Sequence, residues 1–543
     1  MQPRVCSLLP SSPSSVSGFI SDHPPMAMLE KRCSNMRDLR MLHSQVIKTG
    51  LAEHTLAISR VLAFCATSPA GDLNYALQVF SRIAHPNAYT WNTIIRGLSH
   101  SSTPHLAIGL FLDMLRSPTP PQSLTFPSLF TAVAHLGFVE EGAQLHGMVI
   151  KLGLAEDAYV RNSLVFMYGS SGQLTAASNL FEGPASFDVV ACNSMIMALM
   201  RKGLVVAARN LFDDMPHRSV STWSTVMSGY TRNGMFNETL GLFAEMQQAG
   251  IEPNACILVS LLGACAGLAA IEQGEWVHAF IEKNAIEVNP IILNGITNMY
   301  CKCGRLDKAL GAFEASSMKV LSSWNCIISG LAVHGRWEEA ARLFSQLQNV
   351  GLAPDDVTFV GILSACNHAG MVNEARKYFS MMTEMYAIEP TIEHYGCLVD
   401  ALGRAGLLED AEDLISKMPM KPDVPIWGSL LAACMNHGNI AMGARAAKRI
   451  LELDPGDSGG YLLLAKAYAR TGEYRDAINV RATMEEQRVR KKPGSSMIEV
   501  DGMVYEFVAE GTLHHQSEEI NALLNQLVLN KDEMDHPEFV STE

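Results

Sequence analysis

The chain is short of positive charge. Its 543 residues include 41 Lys and Arg against 55 Asp and Glu, which gives a formal net charge of -14 at pH 7. A protein that coats nucleic acid by neutralising its phosphates needs a basic surface, so the composition argues against that mode of binding. Any contact with nucleic acid is expected to lie in a local groove and to depend on the bases.

Long hydrophobic runs are also missing. No stretch approaches the roughly 18 uninterrupted apolar residues of a membrane helix, although an apolar fraction of 48% is sufficient for a buried core. The 12 Cys residues are scattered along the chain, and Cys265, Cys366 and Cys434 recur in one helical context. This pattern favours Cys as a small buried helix residue over Cys as part of a disulfide framework. Free thiols in turn indicate a reducing compartment.

The N-terminal segment has no acidic residue. Residues 1–21 are rich in Ser and contain a single Arg, which is typical of a cleavable organelle transit peptide. A merely disordered N-terminus is the alternative. Because the segment is Ser-rich and poor in Arg, it favours the chloroplast, with the mitochondrion as the alternative location.

What the sequence does contain is a repeat. The segments "YTWNTIIRGLSH" from Tyr89, "STWSTVMSGYTRNG" from Ser221 and "SSWNCIISGLAVHG" from Ser322 resemble one another. Equivalent sites recur at steps from 31 residues, Arg161 to Cys192, up to 36 residues, Phe359 to Tyr395. Each unit holds two helical patterns joined by a Gly-containing turn. One hairpin cannot bury its apolar face, so the repeat predicts an all-α fold, a right-handed superhelical α-solenoid of helix–turn–helix repeats.

An Asn inside the first helix of several units needs an explanation. Asn325 directly follows Trp324 within an apolar helical pattern, although the Asn amide competes for backbone hydrogen bonds and disfavours helix interiors. The first helices of such a stack line its concave surface, so we expect Asn325 to face that surface. An amide there offers both a donor and an acceptor.

The alternating unit lengths carry a family resemblance. Together with "LFDDMPHRSV", "MYCKCGRLDKAL" and "ACNHAGMVNEARKYF", they resemble plant pentatricopeptide repeat (PPR) proteins of the PLS class, over residues from about 25 to 528. The tetratricopeptide pattern, with Trp-x-x-Leu-Gly and a strict period, fits less well.

The resemblance implies a domain organisation. A degenerate N-terminal repeat occupies 22–54, tandem PPR motifs occupy 55–423, and two tetratricopeptide-like E motifs occupy 424–491. Residues 492–528 resemble the E+ extension, in which alternation on either side of Asp501-Gly502 predicts a short β-hairpin. A tail of 529–543 follows.

In this family the fifth and last residues of a motif read one RNA base, which the resemblance carries over to a set of positions here. Asn162 with Asp188 and Asn325 with Asp355 resemble uridine-preferring pairs, and Asn193 with Ser219 resembles a cytidine-preferring pair. Ser59 with Asn87 and Ser224 with Asn254 resemble adenosine-preferring pairs. No clear preference follows for three further sets: Asn92 with Gln122, Asn294 with Val320, and Gly396 with Asp423. The longer motifs carry Pro127, Val259 and Val360 at the fifth position, so they are expected to read little.

An alternative exists for the last residues. Asp, Asn, Ser and Thr immediately before a helix are also the residues that an N-cap requires. Capping and base contact are therefore both open at those positions, whereas capping does not explain the interior Asn residues.

The sequence offers no enzyme signature. It contains no GxxxxGK[ST], the motif of P-loops. The nucleophile-elbow pattern GxSxG is matched by "GDSGG" at Gly456–Gly460, but this segment falls in the turn joining two helical repeats, where Gly and Asp are ordinary turn residues. Family members often end in a DYW-type zinc cytidine deaminase, which needs His-x-Glu followed by Cys-x-x-Cys. Here "HPE" at His536–Glu538 has no Cys after it, and Cys301 and Cys303 are separated by one residue only. The chain is therefore interpreted as an E/E+ protein that lacks the deaminase, has no catalytic residue and needs no metal or cofactor.

The resulting hypothesis is an RNA-binding site-recognition factor for organelle C-to-U editing. Its partners would be single-stranded organelle RNA and a deaminase or other editing factors recruited through the E and E+ region. A splicing or transcript-stabilisation factor is one alternative. A protein-interaction scaffold of the tetratricopeptide kind is the alternative from another class.

Overall fold

The computed structural model describes residues 23–181, 188–490, 495–500 and 503–508, together with 519–520 and 522–523. The predicted transit peptide, the tail at 529–543 and the "HPE" segment lie outside the described residues, as does most of the E+ extension. The chain forms two compact units, Met1–Asn233 and Gly234–Glu543.

The described part of the first unit is helical. Two 3-10 turns, Leu51–Glu53 and Ser123–Thr125, precede two of its helices. The α-helices are α1 (Pro24–Arg32), α2 (Met36–Lys48), α3 (Thr55–Thr67), α4 (Leu73–Phe80), α5 (Ala88–Ser99), α6 (His105–Arg116), α7 (Phe126–Leu136), α8 (Val139–Lys151), α9 (Ala158–Ser170), α10 (Leu174–Phe181), α11 (Val189–Arg201), α12 (Val205–Asp214) and α13 (Val220–Arg232).

The second unit continues the same alternation of two helices per repeat. Its helices are α14 (Phe236–Gln248), α15 (Ala255–Leu268), α16 (Ile271–Lys283), α17 (Pro290–Lys302), α18 (Leu306–Ala315), α19 (Leu321–Val333), α20 (Trp337–Asn349), α21 (Asp356–His368), α22 (Val372–Glu384), α23 (Ile392–Arg404), α24 (Leu408–Lys417), α25 (Val424–His437), α26 (Ile440–Leu453), α27 (Ser458–Thr471) and α28 (Tyr474–Glu486).

Within each unit the first helices of successive repeats pack side by side. In the first unit α3, α5, α7, α9, α11 and α13 form one such layer, and in the second unit α15, α17, α19, α21, α23 and α25 form another. Each of these helices also contacts the second helix of its own repeat where that helix lies in the same unit. The all-α fold built from helix–turn–helix repeats is therefore confirmed in both units, and each repeat buries its apolar face on its neighbour.

Edge-to-face aromatic pairs fill the junctions between repeats. Phe80 meets Trp91 with ring centroids 4.7 Å apart, and Phe212 meets Trp223 at 5.0 Å. A third pair, Phe313 with Trp324, has its centroids 4.9 Å apart. Each pair joins the end of one repeat's second helix to the next repeat's first helix, and the rings are buried. The Trp that marks the repeat in the sequence is thus the residue that packs at the junction between two repeats.

Glycines make the tight turns between the two helices of a repeat. Gly304 has a φ of +73° between α17 and α18, and Gly406 has a φ of +78° between α23 and α24. Residues with a side chain avoid this left-handed region, whereas Gly adopts it at little cost. The Gly-containing turns read from the sequence therefore end the first helix and reverse the chain.

Two short strands follow the helices. Strand β1 (Ser495–Val500) pairs antiparallel with β2 (Met503–Val508), and the register sets Val500 opposite Met503 and Ser495 opposite Val508. The predicted turn residues Asp501-Gly502 lie outside the described residues. No helix in the described part of the chain is both long and apolar enough to span a membrane.

Candidate nucleic-acid interface

The fifth residues of the predicted motifs lie one turn inside the first helices. Ser59 lies in α3, and Asn92, Asn162 and Asn193 lie in α5, α9 and α11. Ser224 lies in α13, Asn294 in α17, Asn325 in α19 and Gly396 in α23. Ser59 and Asn325 are buried, and the other residues of this set are half-buried. The fifth residues thus repeat at one place on the first-helix layer of each unit.

A groove in the first unit shows what this place looks like. It encloses about 580 Å³ between α5, α7 and α9, and Asn92 lies in its wall together with Gln122. Arg96 on α5 and His100, which directly follows α5, line the same groove and are exposed. The groove therefore offers amides for hydrogen bonding and a cation next to them, in a chain whose overall charge is negative.

Exposed apolar side chains lie beside the fifth residues, and sequence reasoning missed them. Tyr89 and Tyr159 precede Asn92 and Asn162 by three residues and are 51% and 68% exposed. Residues three apart on a helix share one face. Other large, exposed apolar residues occupy the same motif position: Leu124, Val190, Ile291 and Val357. Their signal in the sequence is an apolar second residue in the motif, ahead of the buried pattern.

Such surfaces are suited to bases. A nucleobase stacks on an aromatic or apolar side chain while its edge makes hydrogen bonds with neighbouring groups. Tyr89, Leu124 and Tyr159 line the groove that contains Asn92. The arrangement places a stacking surface and an amide donor on one face of the same helix.

Asn325 sits in a closed network with the start of the next repeat. Its Nδ2 donates to Asp355 Oδ1 at 2.9 Å, and its Oδ1 accepts from the Thr358 hydroxyl at 2.6 Å. Asn325 is 7% exposed. The sequence paired Asn325 with Asp355 as the two readers of one base, and the structure brings these two side chains into direct contact.

Asp355 has a further role in the same network. Its Oδ1 accepts from the Thr358 backbone N–H at 2.8 Å, so Asp355 is the N-cap of α21. Burial alone would raise the pKa of Asp355, but the hydrogen bonds from Thr358 and Asn325 outweigh it and lower that pKa. Within the described part of the chain these hydrogen bonds all fall on Oδ1, which leaves Oδ2 as an acceptor toward a ligand.

Asn92 also contacts a Thr of the next repeat, but its predicted partner is not a carboxylate. Its Oδ1 accepts from the Thr125 hydroxyl at 2.8 Å, and that hydroxyl in turn accepts from the Gln122 backbone N–H at 3.0 Å. The predicted partner Gln122 is exposed and has an amide in place of the carboxylate. Asn92 and Gln122 thus line one groove, and Thr125 connects the Gln122 backbone to the Asn92 side chain.

Two other Asn residues are incompletely satisfied within the described part of the chain. The Oδ1 atoms of Asn193 and Asn294 are buried and accept no hydrogen bond there, while Asn294 Nδ2 donates to Ser322 Oγ at 2.9 Å. A buried polar atom without a partner costs free energy, and it is a common feature of positions that a ligand completes. These two carbonyl oxygens are therefore candidates for contact with a base.

The remaining fifth residues show fewer groups that could make hydrogen bonds with a base. The Ser59 hydroxyl donates to Leu56 O at 2.9 Å within its own helix. Gly396 has no side chain, and an added Cβ would meet only Ile426 at 3.9 Å. Asn162 and Ser224 are half-buried on their first helices.

The last residues of the motifs stand at helix N-caps. Asn87, Asp188, Ser219, Asn254 and Asp423 each accept a hydrogen bond from a backbone N–H in the helix that follows. Val320 occupies the N-cap of α19 without a side-chain cap. Capping is therefore observed at these five polar positions as well as at Asp355, and it leaves base contact a prediction.

No metal site was found in the described ranges. They contain no group of three or more His, Cys, Asp or Glu residues that could hold a metal ion. Burial raises the pKa of Cys301 to about 12, which disfavours the thiolate that binds metals.

Comparison with known proteins gives a consistent result. Residues 437–499 match the E motif, and residues 218–267 and 320–368 match the PPR repeat family. Five further segments match the PPR repeat: 89–118, 190–220, 291–315, 357–386 and 393–421. The E-motif match begins inside the first of the two predicted E motifs and ends within β1.

Curated relatives are similar along nearly the whole chain. The pentatricopeptide repeat-containing protein At2g42920, chloroplastic, of Arabidopsis thaliana is 52% identical over 98% of this chain and 95% of its own length. Another Arabidopsis thaliana relative, At5g48910, is 40% identical over 91% of this chain and 80% of its own length. Among solved structures, maize PPR10 in complex with an 18-nt psaJ RNA element is 16% identical, with a TM-score of 0.41, over 88% of this chain and 85% of that one.

Proposed function

The chain belongs to the pentatricopeptide repeat family and carries an E motif, and we propose that it is a PLS-class, sequence-specific single-stranded RNA-binding protein of an organelle. In this proposal it selects sites for C-to-U editing, and a cytidine deaminase supplied by another protein carries out the chemistry. The chloroplastic relative supports an organelle, and the chloroplast is the proposed location.

The observation that carries the proposal is the series of amides on the first helices. Asn92 faces a groove with Tyr89 and Tyr159, and Asn193 and Asn294 have buried carbonyl oxygens with no partner in the described part of the chain. Amides at one place per repeat suit single bases presented in a row, because each base displays donors and acceptors at its edge.

The negative charge of the protein limits how the RNA is held. With a net charge of -14, the chain gains less from phosphate neutralisation than a basic protein does. Stacking and hydrogen bonds to bases must then supply much of the binding free energy. The proposal therefore expects strong dependence on RNA sequence and a shallow dependence on salt.

The E motif at residues 437–499 is the proposed contact for the editing machinery. It follows the last repeat match at 393–421, so it lies beyond the segment proposed to read bases. Recruitment there would place a deaminase near one end of the bound RNA.

Sequencing of organelle RNA from a loss-of-function plant tests the proposed function. The expected result is the loss of C-to-U conversion at one or a few sites, with transcripts otherwise processed normally. Intact editing with a lost splicing event or a missing transcript would instead support the splicing or stabilisation alternative. Absence of any single-stranded RNA binding by the purified protein would leave the interaction-scaffold alternative.

A further inference from the structure

Two Thr residues connect neighbouring repeats at the fifth residues. Thr125 and Thr358 are each the third residue of a motif, three positions after Gln122 and Asp355. Both are fully buried. Their hydroxyl groups therefore have no access to solvent, and their hydrogen bonds are made within the protein.

The two hydroxyls take part in the same sequence of contacts. The backbone N–H of Gln122 donates to Thr125 Oγ1 at 3.0 Å, and that of Asp355 donates to Thr358 Oγ1 at 3.1 Å. Each hydroxyl then lies within hydrogen-bond distance of the Oδ1 atom of the preceding fifth residue, Asn92 at 2.8 Å and Asn325 at 2.6 Å.

This contact distinguishes the two ends of the Asn amide. A carbonyl oxygen accepts the hydroxyl proton, whereas an NH₂ group at the same place would deprive the buried Thr125 hydroxyl proton of the acceptor that Asn92 Oδ1 provides. The contact therefore favours Oδ1 toward the Thr and Nδ2 away from it. At Asn325 the Thr358 hydroxyl also lies 2.7 Å from Asp355 Oδ1, so there the choice depends chiefly on the Asp355 carboxylate, which accepts from Nδ2 at 2.9 Å.

The other repeats provide an internal comparison. Thr222 is also a buried third residue, and the Ser219 backbone N–H donates to its hydroxyl at 3.2 Å. Its hydroxyl lies 3.1 Å from Ser219 Oγ, while Asn193 Oδ1 has no partner in the described part of the chain. In the repeat after Asn162 the third residue is Ala191. The Thr contact is thus present at two fifth residues and absent at two others.

We propose that Thr125 and Thr358 are positioning residues for base recognition: each fixes the amide of the preceding repeat's Asn so that the NH₂ group is presented to the base. The inference rests on the proposed function. It deepens that function by assigning part of the specificity of a repeat to a buried residue of the next one. A repeat with a fixed amide acts as a hydrogen-bond donor and favours a base with an acceptor at its edge.

Removal of the hydroxyl should weaken base choice more than affinity. In Thr125→Val the shape is kept, but the Asn92 amide is free to rotate and to present either a donor or an acceptor. A neutral hydrogen bond contributes on the order of 1 kcal/mol, so the ratio between the most and least favoured base at this position should fall about five-fold. Thr358→Val should show a smaller fall, since Asp355 still holds Asn325 Nδ2.

The experiment is selection from a randomised single-stranded RNA pool with the full-length protein, followed by sequencing of the bound RNA. When the RNAs selected by the wild-type protein are aligned, each repeat that reads a base gives one column of base preferences. The column that changes in Asn92→Ser is the one that belongs to Asn92. The same comparison with Asn193→Ser and Asn325→Ser identifies their columns. Thr125→Val should flatten the Asn92 column alone, and Thr125→Ser, which keeps a hydroxyl, should restore it.

Thr222→Val is the matched control. It removes a buried hydroxyl from the same place in a capping box, but that hydroxyl makes no contact with Asn193, so the Asn193 column should be unchanged. An unchanged Asn92 column in folded Thr125→Val, or equal flattening of the Asn193 column in Thr222→Val, would overturn the inference while leaving RNA binding intact. If Thr125→Val does not fold, Thr358→Val and the Asn325 column decide the matter. A pool without any enrichment by the wild type would overturn the proposed function, and the inference with it.

Discussion

Asn325 and Asp355 lie 30 residues apart, as the fifth and last residues of one motif, and the amide nitrogen of Asn325 donates a hydrogen bond of 2.9 Å to the Asp355 carboxylate. The same carboxylate oxygen caps α21 through the Thr358 backbone N–H. Helix capping and the orientation of the amide that we propose reads a base therefore depend on one charged group. Capping and base contact were alternatives at the level of sequence, and at this site they are compatible.

The charge of Asp355 should contribute to stability. Hydrogen bonds lower its pKa below the usual value despite burial, so the folded state favours the ionised form. Stabilisation is then present above the unfolded pKa, near pH 4, and is lost as the pH falls through the folded pKa. Thermal unfolding followed from pH 6 to pH 3 should show Asp355→Asn melting below wild type at pH 6 and the difference shrinking below pH 4.

The control for that experiment is Glu287→Gln, which neutralises an exposed carboxylate in the same unit. Its melting temperature should follow the wild type across the range. A difference between Asp355→Asn and wild type that is independent of pH would argue against a role for the charge.

Stacking surfaces on the first helices should matter for RNA binding. Tyr159 in α9 is 68% exposed and lines the groove with Asn92. Tyr159→Ala should weaken binding of a selected RNA by about ten-fold or more, since base stacking contributes ~1–3 kcal/mol per base. Fluorescence anisotropy with the best RNA from the selection measures the change.

Tyr474 gives a matched comparison for Tyr159. It is 67% exposed but lies in α28, the second helix of its repeat. Tyr474→Ala removes the same side chain at nearly equal exposure, so it should leave RNA affinity unchanged. Equal losses in the two variants would mean that the effect is not specific to the first-helix surface.

Gly97 is required by close packing rather than by its backbone conformation. A Cβ added there would come within 2.5 Å of the Ala66 carbonyl oxygen and 3.0 Å of both Ala66 Cβ and Leu73 Cδ2. Because backbone atoms block the space, Gly97→Ala should push α3 and α5 apart and destabilise the first unit by ~1–3 kcal/mol. The midpoint of urea unfolding measures this.

Gly109 is the corresponding control in the neighbouring helix α6. An added Cβ there meets nothing within 4 Å, so Gly109→Ala should raise the unfolding midpoint through its better helix propensity, ~0.5–1 kcal/mol. The two identical changes are therefore expected to have opposite signs. A stabilising Gly97→Ala would contradict the packing between α3 and α5.

The aromatic junctions should hold neighbouring repeats together. Trp324 is 6% exposed and packs edge-to-face on Phe313. Trp324→Ala should cost ~3–5 kcal/mol and should increase amide hydrogen exchange first in α18 and α19, because each repeat contacts only its neighbours. Trp276 is 48% exposed, and Trp276→Ala should have a much smaller effect. Uniform loss of protection throughout the chain would contradict the local role of Trp324.

Much of the fold followed from periodic features of the sequence. Trp91, Trp223 and Trp324 mark equivalent places in the sequence because each packs on a Phe at the equivalent junction between repeats. The same packing environment therefore selects the same residue in each of these repeats. The contact between Asn325 and Asp355 also agrees with the sequence, which placed these two residues as one pair. Base reading by this pair and by the other pairs stays a prediction.

Other parts of the site depend on three-dimensional contacts that no period reveals. The Thr358 hydroxyl lies 33 residues from Asn325 in the chain, and Thr also occupies third positions, such as Thr222, where no such contact forms. Exposure of Tyr159 was equally hidden, because an apolar residue at a helix start is expected to be buried as readily as exposed. These features emerge only when neighbouring helices are placed against one another.

The Asn325 network also defines how such arrays are best divided for protein engineering. The amide comes from one motif, whereas the carboxylate that ends it and the hydroxyl of Thr358 flank the boundary with the next. A graft of residues 321–355 alone would carry Asn325 and Asp355 but leave Thr358 behind. Modules cut after the third residue of the following motif would transfer the whole hydrogen-bond network, so a transferable part of this protein begins and ends inside helices rather than in the loops between them.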